Sequence, residues 1–209
     1  MQEQVQGSNQ KSARKIGFIG VPGSGKSTVA QAVQVEMGRL DCLTAVCPEY
    51  AREFINKVGP PEHVSIQQGI LFKQLNREDN LAQSCDVLFC DSLIYFSYIY
   101  GLLITDRDSL QQIKVLRNIY KWAVLDHLKR YDIIFYLPRQ FDIVDDGCRA
   151  PEFNDTIEEA ILGFIGLHKH LFPNFIEIRS ELSDPQEILH DRVKQIKRHV
   201  NGHLKKLTA

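Results

Sequence analysis

Apolar residues along the chain come in short runs that take turns with stripes at helical spacing. The runs KIGFIG (15–20), LTAVC (43–47), DVLFCD (86–91), YDIIFYLP (131–138) and FIEI (175–178) each read as a strand. Between them, residues 26–38 and the stretch from Val64 to Ser84 read as helices, as does a segment in which Ile113, Leu116, Tyr120 and Ala123 share one face. The apolar LIYFSYIYGLL (93–103) precedes that segment. Pro138 ends the fourth strand, because proline cannot donate the next ladder hydrogen bond, and 139–153 read as an exposed loop. Thr156 and Glu159 have capping-box spacing ahead of the stripe Ile157, Ile161, Phe164 and His168. Asp184, Pro185 and Glu187 suit the N-cap, first and third positions of a last helix carrying Ile188, Val193 and Ile196. Strands alternating with helices predict an α/β fold: a five-stranded parallel sheet covered by helices on both faces, with ligands at the carboxyl ends of the strands.

Composition adds bounds. The chain has 209 residues, enough for one substantial core, with 44% hydrophobic and 24% charged residues and a net charge of −1, so global charge points to no polyanionic partner. The polar residues 1–14 predict a loose leader, 15–200 a single domain, and 201–209 a basic tail. The leader lacks the apolar core of a signal peptide, and no run approaches the roughly 20 apolar residues of a membrane span. Cys42, Cys47, Cys85, Cys90 and Cys148 form no CxxC pair, and the first four border or lie within apolar strands, which predicts buried thiols in a reducing cytoplasm.

The chemistry concentrates after the first strand. Gly20, Val21, Pro22, Gly23, Ser24, Gly25, Lys26 and Ser27 match G-x-x-x-x-G-K-[ST], with Thr28 following, between a buried strand and a helix as the motif requires. Glycines permit the turns that aim backbone N–H groups inward, the helix N-terminus adds about half a positive charge, and Lys26 reaches the β and γ phosphates of ATP. Ser27 would ligate Mg²⁺, and Asp91, at the end of VLFCD, is the candidate acid that holds the ion directly or through water; the plainer alternative for Asp91 is a strand-ending turn residue.

Two further segments bear on the acceptor of the phosphate. PEYAREF puts Glu49 at the same sheet edge, where a carboxylate can take a hydroxyl proton, with Arg52 placed to bind an anion or to pair with Glu49 or Glu53. VDDGCRAPE carries Arg149 as a candidate finger over the transferring group, with Asp145 and Asp146 to position that arginine or the acceptor's hydroxyls; a solvated Asp-Gly turn is the plainer reading.

GVPGSGKST, PEYAREF, VLFCD and VDDGCR, in this order, resemble the P-loop kinase domain fused to bacterial NAD-biosynthesis regulators, the nicotinamide-riboside kinase type, and its small AAA-like relatives, over about residues 15 to 198. The resemblance implies a P-loop NTPase fold and an ATP-dependent, Mg²⁺-dependent kinase acting on a nucleoside or nucleotide hydroxyl, with Glu49, Arg52, Asp91, Asp145, Asp146 and Arg149 as site residues. The wider family includes kinases for a hydroxymethylated pyrimidine within DNA. The basic segment 194–209 is the only hint of such a DNA contact, and a solvated helix end explains it as well. A nucleotide-dependent switch is the reading from a different class; the chain lacks the N-K-x-D stretch that reads guanine. His168 and His170 are expected to be structural, and Tyr95, Phe96, Tyr98 and Tyr100 either stack on an acceptor base or pack the core.

Overall fold

Strand β1 (Arg14–Ile19) lies at the centre of a parallel sheet with β2 (Thr44–Cys47), β3 (Val87–Cys90), β4 (Ile133–Tyr136) and β5 (Phe175–Glu177), in the order β2-β3-β1-β4-β5. The computed structural model describes residues 13–38, 42–127, 129–140 and 154–208. Gly17 is level with Cys90 and Cys90 with Cys47, while Ile19 is level with Tyr136, so the strands finish along one edge. The chain leaves β1 for β2, returns beside β1 as β3, and then crosses to its other flank as β4; such a switch of direction opens a crevice at the carboxyl end of the central strand.

The period of two along each strand separates two cores. Ile16 and Phe18, with Val87, Phe89, Ile133 and Phe135, meet Val29, Val33 and Met37 of α1 (Lys26–Gly38) and Val193, Ile196 and Val200 of α7 (Pro185–Thr208). The Phe18 ring lies 6.4 Å from Phe89 and 5.9 Å from Phe135. On the opposite face Ile19, Leu88, Cys90, Ile134 and Tyr136 meet Leu71 and Leu75 of α3 (Val64–Ala82), Ile99 of α4 (Phe96–Ile104), Ile119 of α5 (Leu110–Tyr120) and Phe164 of α6 (Asn154–His168). Each fully buried large side chain contributes about 1.5–3 kcal/mol, so both faces hold the sheet firmly.

The predicted elements form, with these differences. Ala13 is buried in the core and Arg14 opens β1, tied to Asp132 at 3.0 Å, so the last two residues assigned to the leader pack with the folded domain. α6 begins at Asn154, which puts Thr156 inside the helix and not at its cap. α5 passes into a turn of π-helix, Lys121–Leu125, that keeps Ala123 and Val124 buried. Asp184 caps α7 as expected, its Oδ1 accepting from the amides of Gln186 and Glu187 at 2.9 and 3.0 Å. That helix runs on to Thr208 with no element boundary at residue 200, because Val200 is buried, Leu204 packs against the same core, and Lys197 pairs with Glu36 at 2.8 Å. No described helix is long and apolar enough to cross a membrane.

Candidate active site

The turn from β1 into α1 is built by its own backbone. Gly23 and Gly25 have φ of 82° and 88°, a region that side chains disfavour, and these two bends curl the chain ahead of Lys26. Lys26 is only 9% exposed, and its Nζ donates to the carbonyls of Gly20 and Val21, each at 2.8 Å, so the ammonium is held inside the turn. The same Nζ lies 5.8 Å from the centre of the Phe96 ring, at the start of α4. Ser27 is half-buried and Thr28 exposed on the first turn of α1.

Asp91 follows β3 directly and its amide donates to Cys47 O at 3.0 Å, extending the sheet by one residue. The carboxylate is buried, and its Oδ1 has no hydrogen-bond partner among the described residues; the Ser24 hydroxyl in the phosphate turn is in the same position. A buried acceptor without a donor is costly, and a ligand or a bound water at either atom would offset that cost. Mg²⁺ takes hard oxygen ligands, and the Asp91 carboxylate beside a P-loop fits that demand.

Glu49 sits between β2 and α2 (Tyr50–Val58), 3.9 Å from Arg52, an ion pair one helical turn long. Glu53 turns away from Arg52 to Lys57 and Arg77, at 2.8 and 2.6 Å, and these hydrogen bonds hold its carboxyl down at about 2. The Arg77 guanidinium lies 5.1 Å from the centre of the Tyr50 ring, so α2 is anchored to α3 just behind Glu49. Gly20 to Thr28, Glu49, Arg52 and Asp91 thus share the carboxyl edge of the sheet. Asp145, Asp146, Cys148 and Arg149 lie outside the described residues.

The aromatic cluster divides. Tyr95 is fully buried, stacks 5.5 Å from Phe172 and donates its hydroxyl to His127 O at 3.1 Å; Tyr98 packs 4.9 Å from Tyr120. Phe96 and Tyr100, stacked at 5.9 Å, form the pair next to the cradle. His168 is buried, its Nδ1 2.9 Å from Phe164 O and its Nε2 3.2 Å from the Tyr120 hydroxyl, which fits the structural role.

Sequence reasoning missed Arg192. Fully buried on α7, it donates to Ser24 O in the phosphate turn at 2.7 Å, to Pro138 O after β4 at 2.7 Å, and to Gln140 Oε1 at 2.6 Å. Gln140 in turn binds the backbone of Ser180 beyond β5 in both directions, at 2.6 and 3.1 Å. One guanidinium therefore links the cradle to the ends of two strands. Burial, with Arg179 nearby, lowers it to about 10, and at neutral pH it stays charged. Its signal was visible: Ile188, Arg192, Ile196 and Val200 repeat every four residues, placing a cation in the apolar stripe.

Comparison with known proteins agrees with this architecture. A family model described as an AAA domain matches residues 15–164. Among solved structures, deoxyadenosine kinase from M. mycoides with dCMP and dCDP aligns at 18% identity and a TM-score of 0.63, over 90% of this chain and 99% of that one. NadR protein in complex with NR aligns at 15% identity and a TM-score of 0.66, over 89% of this chain and 50% of that one. NadR with NAD and AMP-PNP gives 15% and 0.62, over 88% and 49%. The chain spans about half the length of the NadR chains it matches. No curated protein matches. A glycine turn holding a buried lysine at the end of the central strand of a β2-β3-β1-β4-β5 parallel sheet, and a family match over well more than half of the sequence, lead to one conclusion: the chain belongs to the AAA domain family and has the fold of the P-loop nucleoside kinases.

Proposed function

We propose that the protein is a kinase that transfers the γ-phosphoryl group of ATP to a hydroxyl of a nucleoside-like acceptor. The observation that carries this reading is the placement of Lys26, buried inside the glycine turn, on the same sheet edge as Glu49 and the buried Asp91 carboxylate, whose Oδ1 has no partner among the described residues. Similar structures include a deoxyadenosine kinase and a protein bound to NR or to AMP-PNP, which supports a nucleoside acceptor and a triphosphate donor.

In this scheme the turn amides and Lys26 bind the triphosphate, and the peptide dipoles need no reorganisation as charge builds on the transferring group. Mg²⁺, held by Ser27 and Asp91, would offset charge on the β and γ phosphates. Glu49 takes the proton from the acceptor hydroxyl as its oxygen bonds to the γ phosphorus, the bond from that phosphorus to the bridging oxygen breaks, and ADP leaves. Arg52 orients Glu49 or meets an anionic acceptor. Arg149 closes over the γ phosphoryl group, with Asp145 and Asp146 positioning it or the acceptor's hydroxyls. In this reading one domain spans 15–200, and the thiols of Cys42, Cys47, Cys85 and Cys90, which form no disulfide among the described residues, fit the cytoplasm.

The test is incubation with labelled ATP and Mg²⁺ against a panel of nucleosides, nucleotides and DNA, followed by mass analysis. A phosphorylated small acceptor is the expected product. Phosphorylated DNA would move the reading to the base-modifying alternative, and phosphate release with no modified acceptor would overturn it in favour of a switch.

A further inference from the structure

Beneath the active edge lies a buried carboxylate for which the proposed chemistry has no role. Glu78, on the sheet-facing side of α3, is completely buried. Its Oε2 accepts from Arg130 Nε at 2.7 Å. Its Oε1 accepts from the Tyr131 hydroxyl at 2.9 Å and from Gln74 Nε2 at 3.4 Å. Burial pushes the carboxyl up, and Arg130 and Tyr131 pull against it. Each of the two Oε1 donors holds a different loop of the site. The Tyr131 hydroxyl oxygen accepts from the amide of Ile94 at 3.0 Å, three residues beyond Asp91. Gln74 Oε1 accepts from the amide of Tyr50 at 2.9 Å, the residue after Glu49.

From this geometry we infer that Glu78 is a positioning residue that sets the Glu49 loop and the Asp91 loop relative to one another through Gln74 and Tyr131. One carboxylate oxygen reaches both loops through one intermediary apiece, and its partner oxygen is locked by a guanidinium that also grips Asp79 Oδ1 at 2.7 Å and Leu75 O at 3.3 Å. The sheet makes room for the link: a Cβ on Gly17 would collide with Leu93 and approach the Tyr131 ring to 3.2 Å. Two loops that must bring the acceptor's base, Glu49, and the residue that would hold Mg²⁺, Asp91, into register around one transferring group gain from a shared rigid support, since small misplacement of reacting groups lowers rate steeply. That consequence rests on the roles given to Glu49 and Asp91 in the proposed function; the physical link between the loops does not.

The test pairs amide hydrogen exchange with kinetics on the full chain. Glu78→Gln should speed exchange at both Tyr50 and Ile94 about tenfold or more, while Ile134, whose amide bonds Asn174 O across the sheet, stays as in the wild type. For the acceptor found in the panel above, kcat should fall about tenfold or more, while the affinity for metal-free ATP stays unchanged because the cradle is tied elsewhere. Unchanged exchange at both amides, or faster exchange spread evenly over the molecule, overturns the inference; so does wild-type kcat in the variant. If the wild type phosphorylates no acceptor yet the two amides respond as expected, the proposed function fails and the coupling stands. Should Glu78→Gln not fold, Tyr131→Phe is expected to release Ile94 alone and Gln74→Met to release Tyr50 alone, and silence of both amides refutes the link.

Discussion

The two faces of the sheet are held by different physics. On the face under α1 and α7, phenylalanines and aliphatic side chains make up the core, and Arg192 crosses from α7 to the phosphate turn. On the face under α3, a connected polar system of Gln74, Glu78, Arg130 and Tyr131 runs through the core. The first face backs a turn shaped by its own glycine backbone and braced by Arg192, with nonpolar packing behind it. The second backs the loops of Glu49 and Asp91, whose proposed work falls to side chains, and those need directional support.

The largest expected effect is on the cradle. Lys26→Ala should lower phosphoryl transfer by at least about a hundredfold while the protein still folds, because it removes the ammonium held at the glycine turn. An active, well-folded variant in the transfer assay would break the assignment of this face to the nucleotide.

Next comes Arg130→Met, which strips Glu78 of its cation and leaves a buried carboxylate. Removing one partner of such a pair costs about 3–5 kcal/mol, read by urea unfolding. A loss near zero would mean that the polar face is not held by this pair.

Smaller again is Gly17→Ala, which adds a methyl group against Leu93 and Tyr131 and should cost about 1–3 kcal/mol by overpacking. Its interest lies in where the damage falls: exchange should rise at Ile94 on the polar face, with Val29 in α1 unaffected.

The mildest prediction concerns pH. The Glu53 carboxyl, held at about 2 against an ordinary 4.5 by hydrogen bonds from Lys57 and Arg77, favours folding when ionised. Its contribution is therefore complete above pH 4.5 and is lost as pH falls toward 2. Melting curves between pH 6 and 2.5 should show a slope that Glu53→Gln flattens; an identical slope in the variant would mean that this tether of α2 to α3 has no effect on stability.

What could be read from the chain before any coordinates were known follows from locality. The cradle from Gly20 to Ser27 is set by neighbours in sequence, and so are the apolar runs that became strands and the cap at Asp184, because glycine turns, strand alternation and capping act over a few residues. Thr156 shows the limit of such signals: its spacing to Glu159 suits a cap, yet α6 starts earlier, at Asn154. Arg192 and Glu78 were overlooked for a related reason. A charge within an apolar stripe marks burial but does not name its partner, and the partners stand far along the chain, at Ser24 for Arg192 and at Arg130 and Tyr131 for Glu78.

Short-range stereochemistry in the amino-acid order alone thus determined the alternating architecture, the phosphate turn, and the presence of Glu49 and Asp91 at the ends of their strands. Only the tertiary structure decided that Glu53 would bind Arg77 and leave Arg52 to Glu49, that one guanidinium would bolt the cradle to β4 and β5, and that one carboxylate would sit between two loops of the site. The last two are pairings of directional groups in a space closed to water, and none of these geometries exists until the helices have packed.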